Sequence, residues 1–440
     1  MKVRSFLAGT SVFIILSLLF MGFSQIDKPE YPNDIVRGPY LQMVGPNSAT
    51  IVWVTGSPAK SKVLYGRNDS IISEVADKGR RKKHEVVISG LEPDTKYYYS
   101  IIAPDGQKIG GEAFYFHTAP LPATPKPVNI WVIGDAGSGY PGQNKMRDGY
   151  LKYAAGIKTD LWLWLGDNAY EVGKEEEFQK NVFTGHFEDL MRNIPVYPTL
   201  GNHDMHNFGY QTILTRYFPF AYYDIFALPK KGELGGVPSG TEKYYSFDYA
   251  NIHFISLDSY SSCNKPGGEM NEWLEKDLAS TQQKWVICYF HHPPYCKGTH
   301  DSDLDKESID VRENLVPLFE KYRVDLVLSG HSHAYERTFP LRGHYSFSST
   351  LADSMIYRSD GSNIYHKKEK GWIIYAVVGA SGKPGGKTSG WPHKAMAFYH
   401  CEDNGSMCIN VKGDSLKAEY INTQGNVLDK FIIVKETSSL

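Results

Sequence analysis

Short, almost wholly apolar runs recur from residue 128 onward, and they constrain the fold more than any other feature. They lie at 129–133, 161–165, 196–200, 253–257, 285–290 and 325–329. Strands that are apolar on both faces are typical of parallel sheets covered by helices. The segments between them predict helices at 144–155, 269–283 and 307–322. This alternation predicts an α/β domain.

Residues 35–118 have a different pattern, in which short β-rich runs alternate with turn signals. That spacing predicts an all-β sandwich with Trp53 in its core. A Pro-rich sequence, APLPATPKP, follows it and indicates a domain boundary. We therefore expect a β domain at 33–118, a linker at 119–127 and an α/β domain at 128–435, with a mainly β segment from 371 onward.

Composition and charge exclude several classes of protein. Apolar residues make up 41% and charged residues 22% of the 440 residues, which is typical of a globular protein rather than a disordered or fibrous one. The net charge is −2. Because no broad basic field exists to neutralise phosphates, we do not expect the chain to bind a nucleic-acid scaffold. Nothing in the sequence predicts the oligomeric state.

The N-terminal segment predicts export. Lys2 and Arg4 precede an apolar run, and the small residues Gly22 and Ser24 end it. This pattern is typical of a secretory signal peptide at 1–24, so the mature protein would be secreted or periplasmic. The alternative is a retained membrane anchor, for which the run 6–23 is almost long enough. After cleavage, no later segment predicts stable membrane insertion.

The five cysteines do not indicate a structural zinc site, because none are spaced as CxxC. Cys401 and Cys408 flank an Asn-Gly turn signal, which predicts a disulfide across a hairpin. A bridge between Cys263 and Cys296 is a weaker alternative. Cys288 lies in an apolar run and is predicted to be a buried hydrophobic residue.

Polar motifs directly follow the apolar runs, namely GDAG at 134–137, GDNAY at 166–170, GNHD at 201–204, HHPP at 291–294 and GHSH at 330–333. Each motif alone is a common turn or loop sequence. However, ligands bind at the carboxyl ends of strands in α/β sheets, so we expect the motifs to converge. Their carboxylate, amide, phenol and imidazole groups suit two first-row metal ions. The candidate ligands are Asp135, Asp167, Tyr170, Asn202, His291, His331 and His333.

Taken together, these motifs resemble those of the purple acid phosphatases, within the calcineurin-like metallophosphoesterase superfamily. The sequences GHSHAYER at 330–337 and YYSFD at 244–248 are especially similar. The segment Leu91-Glu-Pro93-Asp-Thr95-Lys-Tyr97 resembles the tyrosine corner of fibronectin type III domains, in which the Tyr hydroxyl bonds to nearby backbone. The resemblance implies a fibronectin type III-like domain followed by a four-layer α/β/β/α sandwich.

The resemblance also implies a metal centre and a reaction. Fe(III) would be bound by Asp135, Tyr170 and His333, and a divalent Zn, Fe or Mn ion by Asn202, His291 and His331. Asp167 would bridge the two ions. A metal-bound hydroxide would then hydrolyse phosphate monoesters. Tyr170 distinguishes this family from related phosphodiesterases and nucleotidases, and its alternative is an ordinary buried tyrosine.

Three further histidines are candidate catalytic residues. The resemblance implies that His203 lies outside the ligand shell and binds phosphate or orients the nucleophile. His300, nine residues after His291, is the first candidate for the acid that protonates the leaving group, and His292 is the second.

The sequence is also compatible with two other functions. One is a metallophosphodiesterase or nucleotidase of the same superfamily, and the other is a non-catalytic binding protein. The segment 379–388 ends in Gly-Lys-Thr like a phosphate-binding P-loop, but Ser381 stands where the first glycine is required. We therefore predict a glycine-rich loop near the catalytic rim.

Overall fold

The computed structural model describes residues 32–68, 73–205, 220–367 and 371–435. The predicted signal peptide at 1–24 lies outside these ranges. Over the described part of the chain, no helix combines the length and the apolar character needed to cross a membrane.

The N-terminal domain is a β structure whose strands are β1 Ile35–Gln42, β2 Ser48–Gly66, β3 Ser73–Ser89, β4 Lys96–Ile102 and β5 Lys108–His117. Strand β2 pairs with β1, β3 and β4, and β4 pairs with β5. Two β-rich runs, ATIVWVT at 49–55 and KVLYG at 62–66, are separated by turn signals in the sequence, but both belong to this one long strand. Its pairing register shifts between Val54 and Ala59 instead of ending in a turn.

Two aromatic residues of this domain, Trp53 and Tyr97, have the surroundings that the sequence predicts. Trp53 is fully buried, and its ring stacks on His84 with 4.5 Å between centroids. The backbone N–H of Glu92 donates a hydrogen bond to the Tyr97 hydroxyl at 3.0 Å. The predicted tyrosine corner is therefore confirmed.

The strands of the second domain are β6 Val128–Ile133, β7 Leu161–Trp164, β8 Val196–Pro198, β9 Tyr245–Tyr249, β10 Ile252–Ser256, β11 Trp285–Tyr289, β12 Leu326–Ser329, β13 Tyr335–Thr338, β14 Ile364–Lys367, β15 Ile374–Val378, β16 Met396–His400, β17 Gly405–Lys412, β18 Ser415–Asn422 and β19 Val427–Lys435. They form two seven-stranded sheets. Sheet I has the order β14-β19-β18-β17-β6-β7-β8, and sheet II has the order β16-β13-β15-β12-β11-β10-β9.

The helices are α1 Pro141–Tyr153, α2 Glu175–Phe178, α3 Glu188–Met191, α4 Ala221–Ile225, α5 Glu269–Ser280, α6 Lys306–Asn314 and α7 Val316–Lys321. A π-helical segment spans Gln179–Phe187, and 3₁₀ turns span Pro32–Asp34, His203–Met205, Ser348–Thr350 and Asp353–Met355. The single helix predicted at 307–322 is two helices, α6 and α7. Pro317, in the first turn of α7, has no N–H with which to continue α6.

The two sheets face each other, and helices cover their outer faces. On β11, Ile287 and Tyr289 belong to the core between the sheets. The alternate residue Cys288 packs with Leu274 of α5 and Phe319 of α7, and it is buried as predicted. On the far side, Trp131 of β6 stacks on Tyr150 of α1 with centroids 3.7 Å apart. The predicted fold class, an all-β sandwich followed by a four-layer α/β/β/α domain, is confirmed, and the five strands of the first domain are hydrogen-bonded to one another through β2 and β4.

The predicted disulfides are wrong, because all five cysteines are free. Cys401 follows β16 in sheet II, whereas Cys408 lies on β17 in sheet I. The Asn-Gly sequence between them belongs to a crossing from one sheet to the other, so no hairpin brings the thiols together. Cys263 is exposed and Cys296 is buried, so they do not pair either.

A buried ion pair joins the two sheets and carries a stability prediction. Arg337 on β13 donates to both carboxylate oxygens of Asp429 on β19, at 2.6 and 3.0 Å. The Tyr335 hydroxyl donates to the same carboxylate at 2.8 Å. We expect Asp429→Ala to lower the free energy of unfolding by about 3–5 kcal/mol, because it leaves a buried guanidinium unpaired. Denaturant unfolding measures this loss.

The matched control is Arg67→Ala, which removes an exposed ion pair with Glu92. Exposed pairs contribute little, so this variant should unfold like the wild type. Equal stability of the two variants would contradict a structural role for the pair between the sheets.

Candidate metal centre

The polar motifs meet at one end of the two sheets. Strands β6, β7 and β8 are parallel in sheet I, and β11 and β12 are parallel in sheet II. The structure brings together, from the loops after these strands, Asp135, Asp167, Tyr170, Asn202, His203, His291, His292, His331 and His333. Each sheet therefore supplies one side of the site.

The backbone at these strand ends is strained. Asp135, Asp167 and His331 have φ angles of 57°, 49° and 66°. Residues other than glycine rarely adopt this left-handed backbone conformation, and those that do are often found at functional sites. Gly137 is required for a different reason, since a Cβ there would lie 1.8 Å from the carbonyl oxygen of Asn168. The loops after β6 and β7 are thus in direct backbone contact.

One group of donor atoms surrounds the Tyr170 hydroxyl. This oxygen lies 3.1 Å from Asp135 Oδ1, 3.0 Å from Asp167 Oδ2 and 3.3 Å from His333 Nε2. His333 Nε2 lies 3.6 Å from Asp135 Oδ1. We call these four side chains the tyrosine group.

A second group surrounds His291 Nε2. This nitrogen lies 3.0 Å from Asn202 Oδ1, 3.3 Å from Asp167 Oδ1 and 3.3 Å from His331 Nδ1. The Nδ1 of His291 donates to the carbonyl of Leu165 at 2.8 Å, so the neutral form of this ring would present the lone pair of Nε2 to a metal ion. We call these four side chains the histidine group. Asp167 belongs to both groups, with one carboxylate oxygen in each.

These groups fit metal ions. Ligands about 2.1 Å from a common ion lie roughly 3.0–3.4 Å apart at octahedral or tetrahedral angles, close to the separations found in each group. Asp135 and Asp167 are buried. Within the described ranges, the basic side chains paired with them are histidines, and none is Lys or Arg. Buried carboxylates need a compensating cation, and bound metal ions would supply it.

The shifted pKa values of four ligands lead to the same conclusion. Burial, with the added charge of Asp167, raises the pKa of Asp135 well above its ordinary value. Burial and both carboxylates also raise the pKa of Tyr170, so its ionisation requires a strongly charged ion nearby.

Burial lowers the pKa of His331 to about 3 and that of His333 to about 4. These imidazoles are therefore neutral, the form that binds metal. His291 differs from them. Burial alone would lower its pKa, but the nearby Asp167 carboxylate outweighs burial and raises the pKa of His291 to about 9, so a metal ion must displace a proton there.

His203 lies at the edge of the tyrosine group. Its backbone N–H donates to Asp167 Oδ1 at 2.9 Å, and its ring lies 4.5 Å from the ring of Tyr170. The Nδ1 lies 2.5 Å from the carbonyl oxygen of Glu171. Because a carbonyl oxygen can only accept a hydrogen bond, Nδ1 carries the proton and donates it. The Nε2 lies 3.8 Å from Asp167 Oδ2.

The two candidate acids have different surroundings. The side chain of His300 is 40% exposed, and its ring centroid lies 3.7 Å from that of His331. The His292 side chain is buried, with Nδ1 2.9 Å from the Ser259 hydroxyl. Burial lowers the pKa of His292 well below its ordinary value, so this imidazole is neutral and holds no proton beyond its own N–H.

Two carboxylates that contact the site, Asp204 and Asp305, are not predicted from the sequence. Asp204 accepts hydrogen bonds from the amide group of Asn168 and the N–H of Gly201, which fixes the loops after β7 and β8. Its position directly after Asn202-His203 was an available signal. Asp305 contacts both His300 and His331. Nothing in the local sequence distinguishes it from other helix-capping aspartates.

The glycine-rich segment 379–388 lies against the tyrosine group. The N–H of Gly385 donates to the carbonyl of His333 at 2.7 Å. A Cβ on Gly382 would lie 2.2 Å from the carbonyl oxygen of Asp135, so only glycine permits this approach. No helix follows the segment before β16, which agrees with a loop at the catalytic rim and excludes a P-loop.

Comparisons with known proteins agree with this geometry. A family model described as calcineurin-like phosphoesterase matches residues 128–335, and one described as the purple acid phosphatase N-terminal domain matches residues 36–118. Probable purple acid phosphatase 20 of Arabidopsis thaliana is 28% identical over 327 residues, which cover 71% of this chain and 70% of that protein. Phosphoenolpyruvate phosphatase of Allium cepa is 28% identical over 360 residues, which cover 76% of this chain and 67% of that protein.

Among solved structures, purple acid phosphatase from yellow lupin seeds has a similar fold. Its TM-score is 0.69 at 21% identity, and the match covers 90% of this chain and 74% of that one. The two family models together span both domains up to β13, and the sequence relatives and the fold agree with them. This chain therefore belongs to the purple acid phosphatases, which are phosphate-ester hydrolases of the calcineurin-like superfamily.

Proposed function

We propose that this chain is an exported acid phosphatase that hydrolyses phosphate monoesters at a centre of two metal ions. The observation that carries this proposal is the placement of Asp167, whose two carboxylate oxygens face different donor groups. Fe(III) suits the tyrosine group because a phenolate favours the ferric state. A divalent Zn, Fe or Mn ion suits the histidine group.

When bound, the ions would supply Lewis acidity toward phosphate and would lower the pKa of water. The protein's part is to place charge and hydrogen-bond donors around them. Asp135, Asp167 and an ionised Tyr170 contribute three negative charges, so a trivalent and a divalent ion leave an excess of positive charge for a phosphate anion. His203 lies beside Tyr170, and its Nε2, once protonated, would donate to a phosphate oxygen.

His300 is the group we propose for protonating the leaving group, because it is exposed beside the histidine group whereas His292 is buried. His300→Ala should lower kcat for alkyl phosphates by at least about 100-fold, the lower end of the usual contribution of general acid catalysis. Activated aryl phosphates should lose much less, since their leaving groups need no proton. Steady-state kinetics with both ester types measures the difference.

His292→Gln serves as the comparison for that experiment. Its partner is Ser259, so we expect it to affect stability more than the dependence on leaving group. Equal losses of both esters in His300→Ala would contradict its role as the acid and favour His292 or a binding role.

Substrate class separates the proposal from its alternatives within the superfamily. The test compares 4-nitrophenyl phosphate, bis(4-nitrophenyl) phosphate and phosphoenolpyruvate at acidic pH. We expect the two monoesters to be hydrolysed faster than the diester. Faster hydrolysis of the diester would replace the proposed function with a phosphodiesterase. A protein that binds both metals and hydrolyses none of these esters would be a binding protein.

Export and domain organisation complete the proposal. We propose cleavage after residue 24, a β domain at 33–118, a linker at 119–127 and a catalytic domain at 128–435. Contacts between the β domain and the catalytic domain include the Tyr40 hydroxyl bound to the carbonyl of Ile225 at 2.6 Å, and the Gln42 amide bound to that of Val196 at 3.1 Å. Because Val196 begins β8, the β domain supports the strand that precedes Asn202. N-terminal sequencing of exported protein tests the cleavage.

A further inference from the structure

One carboxylate contacts two histidines of different proposed function. Asp305 Oδ2 lies 2.9 Å from His331 Nε2 and 3.5 Å from His300 Nδ1. The two imidazole rings lie against each other, with centroids 3.7 Å apart and their planes tilted by 33°. The Asp305 side chain is 25% exposed, so its contacts with the two histidines are partly shielded from water. The aspartate therefore sits where the histidine group meets the solvent-exposed candidate acid.

The helix geometry shows that this contact replaces the usual role of such a residue. Asp305 is the N-cap of α6, a position at which an aspartate normally accepts hydrogen bonds from the first helical N–H groups. Its side chain makes no capping hydrogen bond. Its carboxylate instead contacts the two histidines. The side chain is thus held by the site and not by the helix.

The contact has a defined consequence for His331. A carboxylate accepts a hydrogen bond, so Nε2 of a neutral His331 must carry the proton, and Nδ1 must carry the lone pair. Nδ1 is the nitrogen that faces the histidine group, 3.3 Å from His291 Nε2. Carboxylates that accept from metal-binding histidines in this way fix the tautomer and the ring orientation.

We propose that Asp305 is a positioning residue that selects the metal-binding tautomer of His331 and holds His300 over it. The proposal rests on the proposed function, because it takes the histidine group as the divalent-metal site and His300 as the acid. One carboxylate then couples the affinity for the divalent ion to the placement of the proton donor. Asp305 itself touches neither ion nor substrate.

The experiment compares Asp305→Ala and Asp305→Asn with wild type, using protein that contains iron and has lost its divalent ion. Titration with Zn²⁺, followed by metal analysis, measures the affinity of the histidine group. Loss of a carboxylate that supports a metal-binding histidine typically costs about 10–100-fold in metal affinity. We expect that loss in Asp305→Ala and a smaller one in Asp305→Asn, whose amide oxygen still accepts a hydrogen bond.

Two further readouts distinguish positioning from general damage. The iron absorption band should be unchanged, because Asp305 does not contact the tyrosine group. At saturating Zn²⁺, Asp305→Ala should still lose more activity with alkyl than with aryl phosphates, since His300 is no longer held. The control is Asp310→Ala, which removes a carboxylate on the same helix that pairs with Lys306. It should match wild type in every measurement.

Wild-type Zn²⁺ affinity in Asp305→Ala would overturn the proposal, and so would loss of the iron band together with Zn²⁺ binding. Failure of the proposed function would give a different experimental result. In that case the wild-type protein would not bind two metal ions or would not hydrolyse phosphate monoesters, whatever the variants do.

Discussion

Asp167→Asn is expected to lower phosphatase activity by at least about 100-fold, comparable to the loss of one key electrostatic group in other active sites. It should also reduce the content of both metals. The carboxylate oxygens of Asp167 lie in different donor groups, Oδ2 beside Tyr170 and Oδ1 beside His291. Asparagine keeps the shape but offers one oxygen and no charge, so neither ion retains its shared ligand. Metal analysis and kcat for 4-nitrophenyl phosphate measure the two effects.

The matched control for this variant is Asp160→Asn. Asp160 directly precedes the first residue of β7, whereas Asp167 follows the last. Asp160 is also buried, and it accepts the N–H of Asn129 at 2.8 Å, far from the metal-binding strand ends. This variant should keep both metals and its activity. Stoichiometric retention of both metals in Asp167→Asn would contradict the bridging role, even if activity were lost.

The strands could be predicted closely because their signal is local. The run 285–290 corresponds to β11 at Trp285–Tyr289, and the run 161–165 to β7 at Leu161–Trp164. Their division into two sheets could not be read from the residues, because apolar alternation does not identify the pairing partner. Strand β17 lies beside β6, almost three hundred residues earlier in the chain. The wrong Cys401–Cys408 disulfide has the same cause, since a turn signal does not specify the sheet that follows.

The candidate ligands could be recognised because each directly follows a buried strand, where the fold brings side chains to one edge. Asp305 could not, because its contact with His331 depends on how the start of α6 packs beside the loop after β12. The same limit applies to the choice between His300 and His292. Their different burial, which decides which one can reach a leaving group, is a property of the folded loop and not of the motif.

Tyr170→Phe should abolish the visible absorption of the iron-loaded protein while leaving the fold intact. A phenolate bound to Fe(III) gives a charge-transfer band, so the oxidised wild-type protein is expected to be pink to violet. Phenylalanine keeps the ring that packs against His203 but removes the oxygen that contacts Asp135, Asp167 and His333. Absorption spectra and iron analysis of wild type and variant test this directly.

Tyr140→Phe is the control. Tyr140 is 48% exposed at the start of α1, so this substitution removes a phenol oxygen outside the donor groups. It should leave the band unchanged. Zn²⁺ binding to the histidine group should survive in Tyr170→Phe, since Asn202, His291 and His331 are untouched. If iron-loaded, oxidised wild-type protein shows no visible band, Tyr170 is an ordinary buried tyrosine beside a colourless site. The first metal site would then consist of Asp135, Asp167 and His333 without a phenolate.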